Sequence, residues 1–92
     1  MPSPDARLSH AADLLESEID GEIVMMDVES GNYLNFDAVA TDIWNRIGGG
    51  IRFADLCAAI EGEYNADSAT VARDVAEFVD DLIRRGLVRV EP

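Results

Sequence analysis

Several residues in this chain could carry chemistry by type alone: the single histidine His10, the single cysteine Cys57, the carboxylates Asp80, Asp81, Glu61 and Glu63, and the run Gly48-Gly49-Gly50. Nucleophilic catalysis needs a nucleophile beside a base, with a third group orienting that base. His10 stands in an N-terminal segment with Pro2 and Pro4 and little periodicity, without ligand-type neighbours at metal spacing. It reads as a solvent-exposed bystander. Cys57 falls in an apolar helical stripe, which suits a structural thiol. A reactive thiolate would need nearby cations, and the local sequence supplies only Arg52.

The carboxylates fare no better. Neighbouring helix positions diverge by about 100°, so Asp80 and Asp81 do not face one substrate together. With Glu61 and Glu63 they read as solvated helix faces. Asp27 and Glu29 alternate on a strand, but the glycine-bearing loop with calcium ligands at fixed offsets is absent. No strand precedes the glycine run and no Lys-Ser or Lys-Thr follows it, so it lacks the parts of a phosphate loop and reads as a linker. The expectation is a protein without catalytic residues, metal ligands or cofactor, whose function is binding.

Charge narrows the partner. The chain has 92 residues, enough for one domain, with 19 Asp and Glu against 7 Arg and a formal net charge of −12. Between Leu8 and Asn45 the only basic residue is His10, while Asp13, Glu16, Glu18, Asp20, Glu22, Asp27, Glu29, Asp37 and Asp42 lie in that stretch. Such a surface repels nucleic acid and anionic membranes and attracts cationic partners. No apolar run approaches the length of a membrane span, and the Met-Pro-Ser-Pro-Asp start lacks a signal-peptide layout, so a cytoplasmic location is expected.

The elements that position a binding site follow from periodicity. Residues 1–11 read as a flexible arm, and residues 12–92 as the domain. Asp13 to Ile19, Glu22 to Val28 and Tyr33 to Phe36 read as a three-stranded antiparallel meander, turned at Asp20-Gly21 and at Glu29 to Asn32. Asp37 caps a first helix, with Val39, Ile43 and Ile47 inward and Trp44 alongside. A second helix spans about Phe53 to Tyr64, with Phe53, Leu56, Cys57, Ile60 and Tyr64 inward. A third, capped by Asp67 or Ser68, continues to Arg85 on a stripe of Val71, Val75, Phe78 and Leu82. Gly86 ends it, and Leu87 to Val90 form a short apolar tail. Three strands followed by three helices give an α+β fold whose helical half is winged helix-turn-helix-like.

A short terminal strand leaves backbone N–H and C=O groups unpaired, and an extended peptide can add there as another strand. The third helix carries apolar residues beyond its core stripe, Ala72, Ala76, Val79 and Ile83, and the two alanines would leave room for a guest. The same stripe could instead widen the core contact.

The chain resembles the PqqD-like family, the precursor-peptide recognition elements of pathways that modify ribosomally made peptides. The resemblance rests on Asp20-Gly-Glu-Ile-Val-Met-Met-Asp-Val28, Ser30-Gly-Asn-Tyr-Leu-Asn-Phe-Asp37, Ile43-Trp44, the glycine stop, Asp55-Leu56, Glu63-Tyr64, Asp74-Val75, Phe78-Val79, Leu82 and Gly86-Leu87-Val88. It implies a non-catalytic peptide chaperone that takes a precursor's leader as an extra strand against the third strand, beside the third helix. Carried over, the strand side is Tyr33, Leu34, Asn35 and Phe36, and the helix side is Ala72, Val75, Ala76 and Val79. Asp80 and Ile83 complete the expected peptide-binding set. The Gly-Asn-Tyr-Leu-Asn-Phe stretch resembles the stand-alone lasso peptide recognition proteins more than those serving pyrroloquinoline quinone synthesis. This implies a lasso precursor leader and a leader-cleaving cysteine protease, or another maturation enzyme, as partners, with an ATP-dependent cyclase acting afterwards. Two departures stand out: Arg52 replaces the usual Thr or Ser before the second helix, and Phe36-Asp37 replaces the Leu-Asn of the proteins serving pyrroloquinoline quinone synthesis.

Other readings remain open. One is a chaperone for another modified-peptide pathway, such as pyrroloquinoline quinone synthesis. An acyl-carrier-like protein would use Asp67-Ser68, but Ala follows that serine and strands precede the helices. A winged-helix DNA-binding protein would need a basic third helix, which here carries Asp74, Glu77, Asp80 and Asp81 against Arg73, Arg84 and Arg85.

Overall fold

Asp20 and Gly21 both adopt positive φ, 53° and 80°, which makes a two-residue turn matching the twist of the strands it joins. Around this turn, in a computed structural model that describes residues 2–11, 15–27 and 31–91, the chain builds the expected meander. Strands β2 (Leu15–Ile19), β3 (Glu22–Asp27) and β4 (Asn32–Phe36) pair antiparallel in the order β2-β3-β4. Asp13 and Leu14 in the expected first strand, and Val28, Glu29 and Ser30 around the expected second turn, lie outside the described residues. Ile23, Met25 and Phe36 point inward and are buried.

Helix α1 (Ala38–Gly48) starts where expected, with the Asp37 carboxylate accepting from the Ala40 N–H at 2.8 Å. Helix α2 spans Phe53–Tyr64, and α3 spans Ser68–Arg84. Asp67 rather than Ser68 caps α3, accepting from the Thr70 N–H at 3.1 Å. At the far end of α3, the Gly86 N–H donates to Ile83 and the Leu87 N–H to Leu82, with Gly86 at φ +78°. This paired closure satisfies carbonyls that the helix leaves free and needs a left-handed residue there.

The N-terminal segment departs from the expected loose arm. Residues Arg7–His10 form β1, the central strand of a second sheet, between β5 (Ile51–Arg52) and β6 (Val88–Glu91). The tail at Val88 to Val90 is therefore a strand partner of β1. Leu8 has no exposed surface and Ala6 is 3% exposed. The same segment supplies the start of α2. The Phe53 N–H donates to the Ala6 carbonyl at 2.9 Å, and the Ala54 N–H to the Pro4 carbonyl at 3.0 Å. A helix start leaves its first N–H groups without intrahelical partners, and Arg52 provides no side-chain cap. Backbone carbonyls from the N-terminal segment take that role.

His10 is likewise not a bystander. It is half-buried and stacks on Trp44, itself fully buried, with its ring beside Gly48. The core joins Leu8 and Val88 from the second sheet, with Leu87 just before it, to the three helices and the inner face of the meander. Among the described residues no helix is long and apolar enough to cross a membrane.

Candidate functional site

Backbone direction on β4 follows from the two-residue turn. Such a turn makes its flanking residues, Ile19 and Glu22, a hydrogen-bonded pair, and bonded pairs then alternate along the ladder. With Ser17 opposite Val24 and Leu15 opposite Met26, Glu22, Val24 and Met26 turn their backbone groups to β2. Ile23 and Met25 then face β4, where they pair with Phe36 and Leu34. At the end of the ladder the Thr41 hydroxyl bridges the pair, accepting from the Ile23 N–H at 3.1 Å and donating to the Phe36 carbonyl at 3.2 Å. Tyr33 and Asn35 therefore direct their N–H and C=O groups to the other side, where β4 has no strand neighbour among the described residues.

The inner face of β4 meets α3 through aromatic rings. Phe78 stands edge-on to Phe36, with ring centroids 5.5 Å apart and planes at 79°. Beyond this contact a cleft of about 370 Å³ opens between the start of α1, the end of α2 and the first half of α3. Ile43, Ile60, Val71, Val75 and Phe78 give it an apolar lining, and Asp37 and Asp74 contribute carboxylates. Val39 and Tyr64, expected inward, are 41% and 42% exposed and line this cleft. The Tyr64 hydroxyl donates to Asp42 at 3.0 Å, a bond that, with burial, pushes its pKa up and keeps the phenol protonated. Asp42 also holds Arg46 at 2.7 Å. An edge that offers main-chain bonds, together with an apolar cleft carrying acidic side chains, can hold an extended peptide with apolar and basic residues.

The expected site residues divide on this geometry. Tyr33 and Asn35 are exposed on β4, Leu34 is half-buried, and Phe36 lies in the core against Phe78. On α3 the expectation needs correction. Val75, Ala76 and Val79 are buried, at 2%, 5% and 0% exposed, and are core in this structure. Ala72, Asp80 and Ile83 are half-buried. Ala72, Ala76, Asp80 and Ile83 lie roughly 120–160° around the helix from Phe78 at 100° per residue. Only Val75 of the expected helix set lines the cleft, whose other α3 residues are Thr70, Val71, Asp74 and Phe78. The apolar arc of α3 is wide, so periodicity marks the buried side without telling which flank adjoins β4.

Cys57 is half-buried, and burial, helped by the nearby Glu61 charge, pushes its thiol pKa up. A thiol held protonated is a poor nucleophile at neutral pH.

A search of the curated proteins finds no match. Among solved structures, the chain is similar to TbiB1 in complex with the TbiA(beta) leader peptide. The TM-score is 0.78 at 31% sequence identity, covering 88% of this chain and 94% of that one. The family model of the coenzyme PQQ synthesis protein D (PqqD) matches residues 22–88, a span running from the start of β3 into β6. The chain therefore belongs to the PqqD family.

Proposed function

We propose that this chain binds the leader segment of a ribosomally made precursor peptide as a strand added to β4 and presents it to maturation enzymes, in a lasso peptide pathway. The observation that carries this is the open β4 edge, with the Tyr33 and Asn35 backbone directed outward, on a strand whose Phe36 meets Phe78 in the lining of the apolar cleft. The likeness to TbiB1, whose structure holds a leader peptide, supports the same reading. Main-chain bonds to Tyr33 and Asn35 supply register, and the cleft selects apolar leader side chains. The carboxylates of Asp37 and Asp74 favour leaders with Arg or Lys nearby. The partners in this reading are the precursor, a leader-cleaving cysteine protease and a later cyclase, all in the cytoplasm.

Amide hydrogen exchange with a synthetic lasso leader tests this. Leader should slow exchange at Tyr33 and Asn35, and leave Leu34, already bonded within the sheet, little changed. Leader binding without protection at Tyr33 and Asn35 would move the site elsewhere. A leader from a pyrroloquinoline quinone precursor, bound more tightly than any lasso leader, would reassign the pathway.

A further inference from the structure

The outer face of the meander carries a group of apolar side chains beside Ser17, Glu22 and Asn35, where an exposed sheet face is ordinarily polar. Leu15, Met26 and Tyr33 form one row across the three strands, and Val24 and Ile19 extend it toward the turn. Leu15, Ile19 and Tyr33 are 63%, 60% and 65% exposed. With Val24 and Met26 they line a shallow depression separate from the cleft at α3. Contiguous exposed apolar surface of this kind marks an interaction site.

Charge selects the occupant. Glu16 lines the depression, Asp20 and Glu22 border the face at the turn, and no basic residue occurs from Leu15 to Asp27. A second copy would bring the same acidic border and another net charge of −12 against the first. An anionic membrane meets the same repulsion. A protein with an apolar patch flanked by Arg or Lys fits both features.

Tyr33 belongs to this face by its side chain and to the open β4 edge by its backbone. A strand added at β4 would extend the face, so a partner seated on it would cover chain and guest together. We infer that the outer face of β2-β3-β4 docks a maturation enzyme carrying such a basic-rimmed apolar patch, and that this enzyme meets the leader across Tyr33. The inference rests on the leader-binding reading above.

The test uses the full chain, a lasso precursor and the purified leader-cleaving protease of the same pathway as probe. Leu15→Ser with Ile19→Ser removes exposed apolar groups, and Glu22→Arg reverses a border charge. Tyr33 is left intact. Leader affinity should stay within twofold of wild type in every variant. The chain concentration giving half-maximal precursor cleavage should rise tenfold or more, and for wild type it should also rise with salt. Variants that bind leader and support cleavage like wild type overturn the docking inference alone. A wild-type chain that binds no leader overturns the leader reading and the docking with it. Sedimentation showing a wild-type dimer that the variants dissociate would assign the face to a second copy. Binding of wild type to phosphatidylglycerol vesicles, lost in the variants, would assign it to a membrane. Either result overturns the inference.

Discussion

His10 lies flat against Trp44, with ring centroids 3.6 Å apart and planes 14° from parallel. Its Nε2–H donates to the Trp44 carbonyl oxygen at 2.8 Å, since a carbonyl can only accept. The Trp44 indole N–H in turn donates to the Glu16 carboxylate at 2.7 Å. Through α1, this one indole ties β1 of one sheet to β2 of the other.

A chain starting at Ala11 should therefore be strongly destabilised. It loses the fully buried Leu8 and the carbonyls of Pro4 and Ala6 that cap α2. Leu8→Ala alone should cost about 2–5 kcal/mol, a large part of a small domain's stability. Urea unfolding followed by Trp44 fluorescence reads the effect. An unchanged midpoint in the shortened chain would show that β1 adds nothing.

Proline on β4 should separate sheet from guest. Asn35→Pro removes an N–H directed outward, a position where edge strands tolerate proline. It should fold and lose leader affinity tenfold or more. Leu34→Pro removes an N–H bonded to β3 and should lower stability by about 1–3 kcal/mol. Thermal melting and titration with leader distinguish the two. The reverse pattern would mean that the ladder runs in the other phase.

On α3, Asp74→Lys should weaken binding of a basic leader severalfold without changing stability, because Asp74 is exposed and lines the cleft. Val79→Asp should instead unfold the chain, since an unpaired carboxylate in a fully buried position costs several kcal/mol. Circular dichroism and leader titration check both. A folded Val79→Asp protein would contradict the full burial of Val79.

The end of α3 should carry a small acid-sensitive contribution. Hydrogen bonds from Arg85 and Arg84 hold the Asp81 carboxyl below its ordinary range, against a smaller opposing effect of burial. A lowered carboxyl pKa stabilises the fold above the unfolded value, about 3.9, and that contribution fades as pH falls through the folded value. The Asp81 side chain is 36% exposed, so screening limits the effect. Asp81→Asn should cost about 0.2–1 kcal/mol at pH 7 and nothing near pH 2. Urea midpoints at the two pH values measure it, and an equal cost at both would point to a contribution independent of charge.

The sequence by itself determined the local elements. The Asp20-Gly21 turn, the cap at Asp37, a cap at Asp67 or Ser68, the stop at Gly86 and the three helices are written in neighbouring residues, because turns, caps and helical periodicity act over a few positions. The phase of the β4 edge follows from the turn once register is known. Tertiary structure alone decided three things. β1 pairs with β6 across most of the chain, a match that neighbouring residues do not encode. His10 found Trp44 only because that pairing carried it there. The rotation of α3, set by packing over its whole buried arc, turned Phe78 and Asp74 toward the cleft and Ala76 and Val79 into the core. A helix with so wide an apolar arc fits several rotations by pattern, and only its neighbours select one.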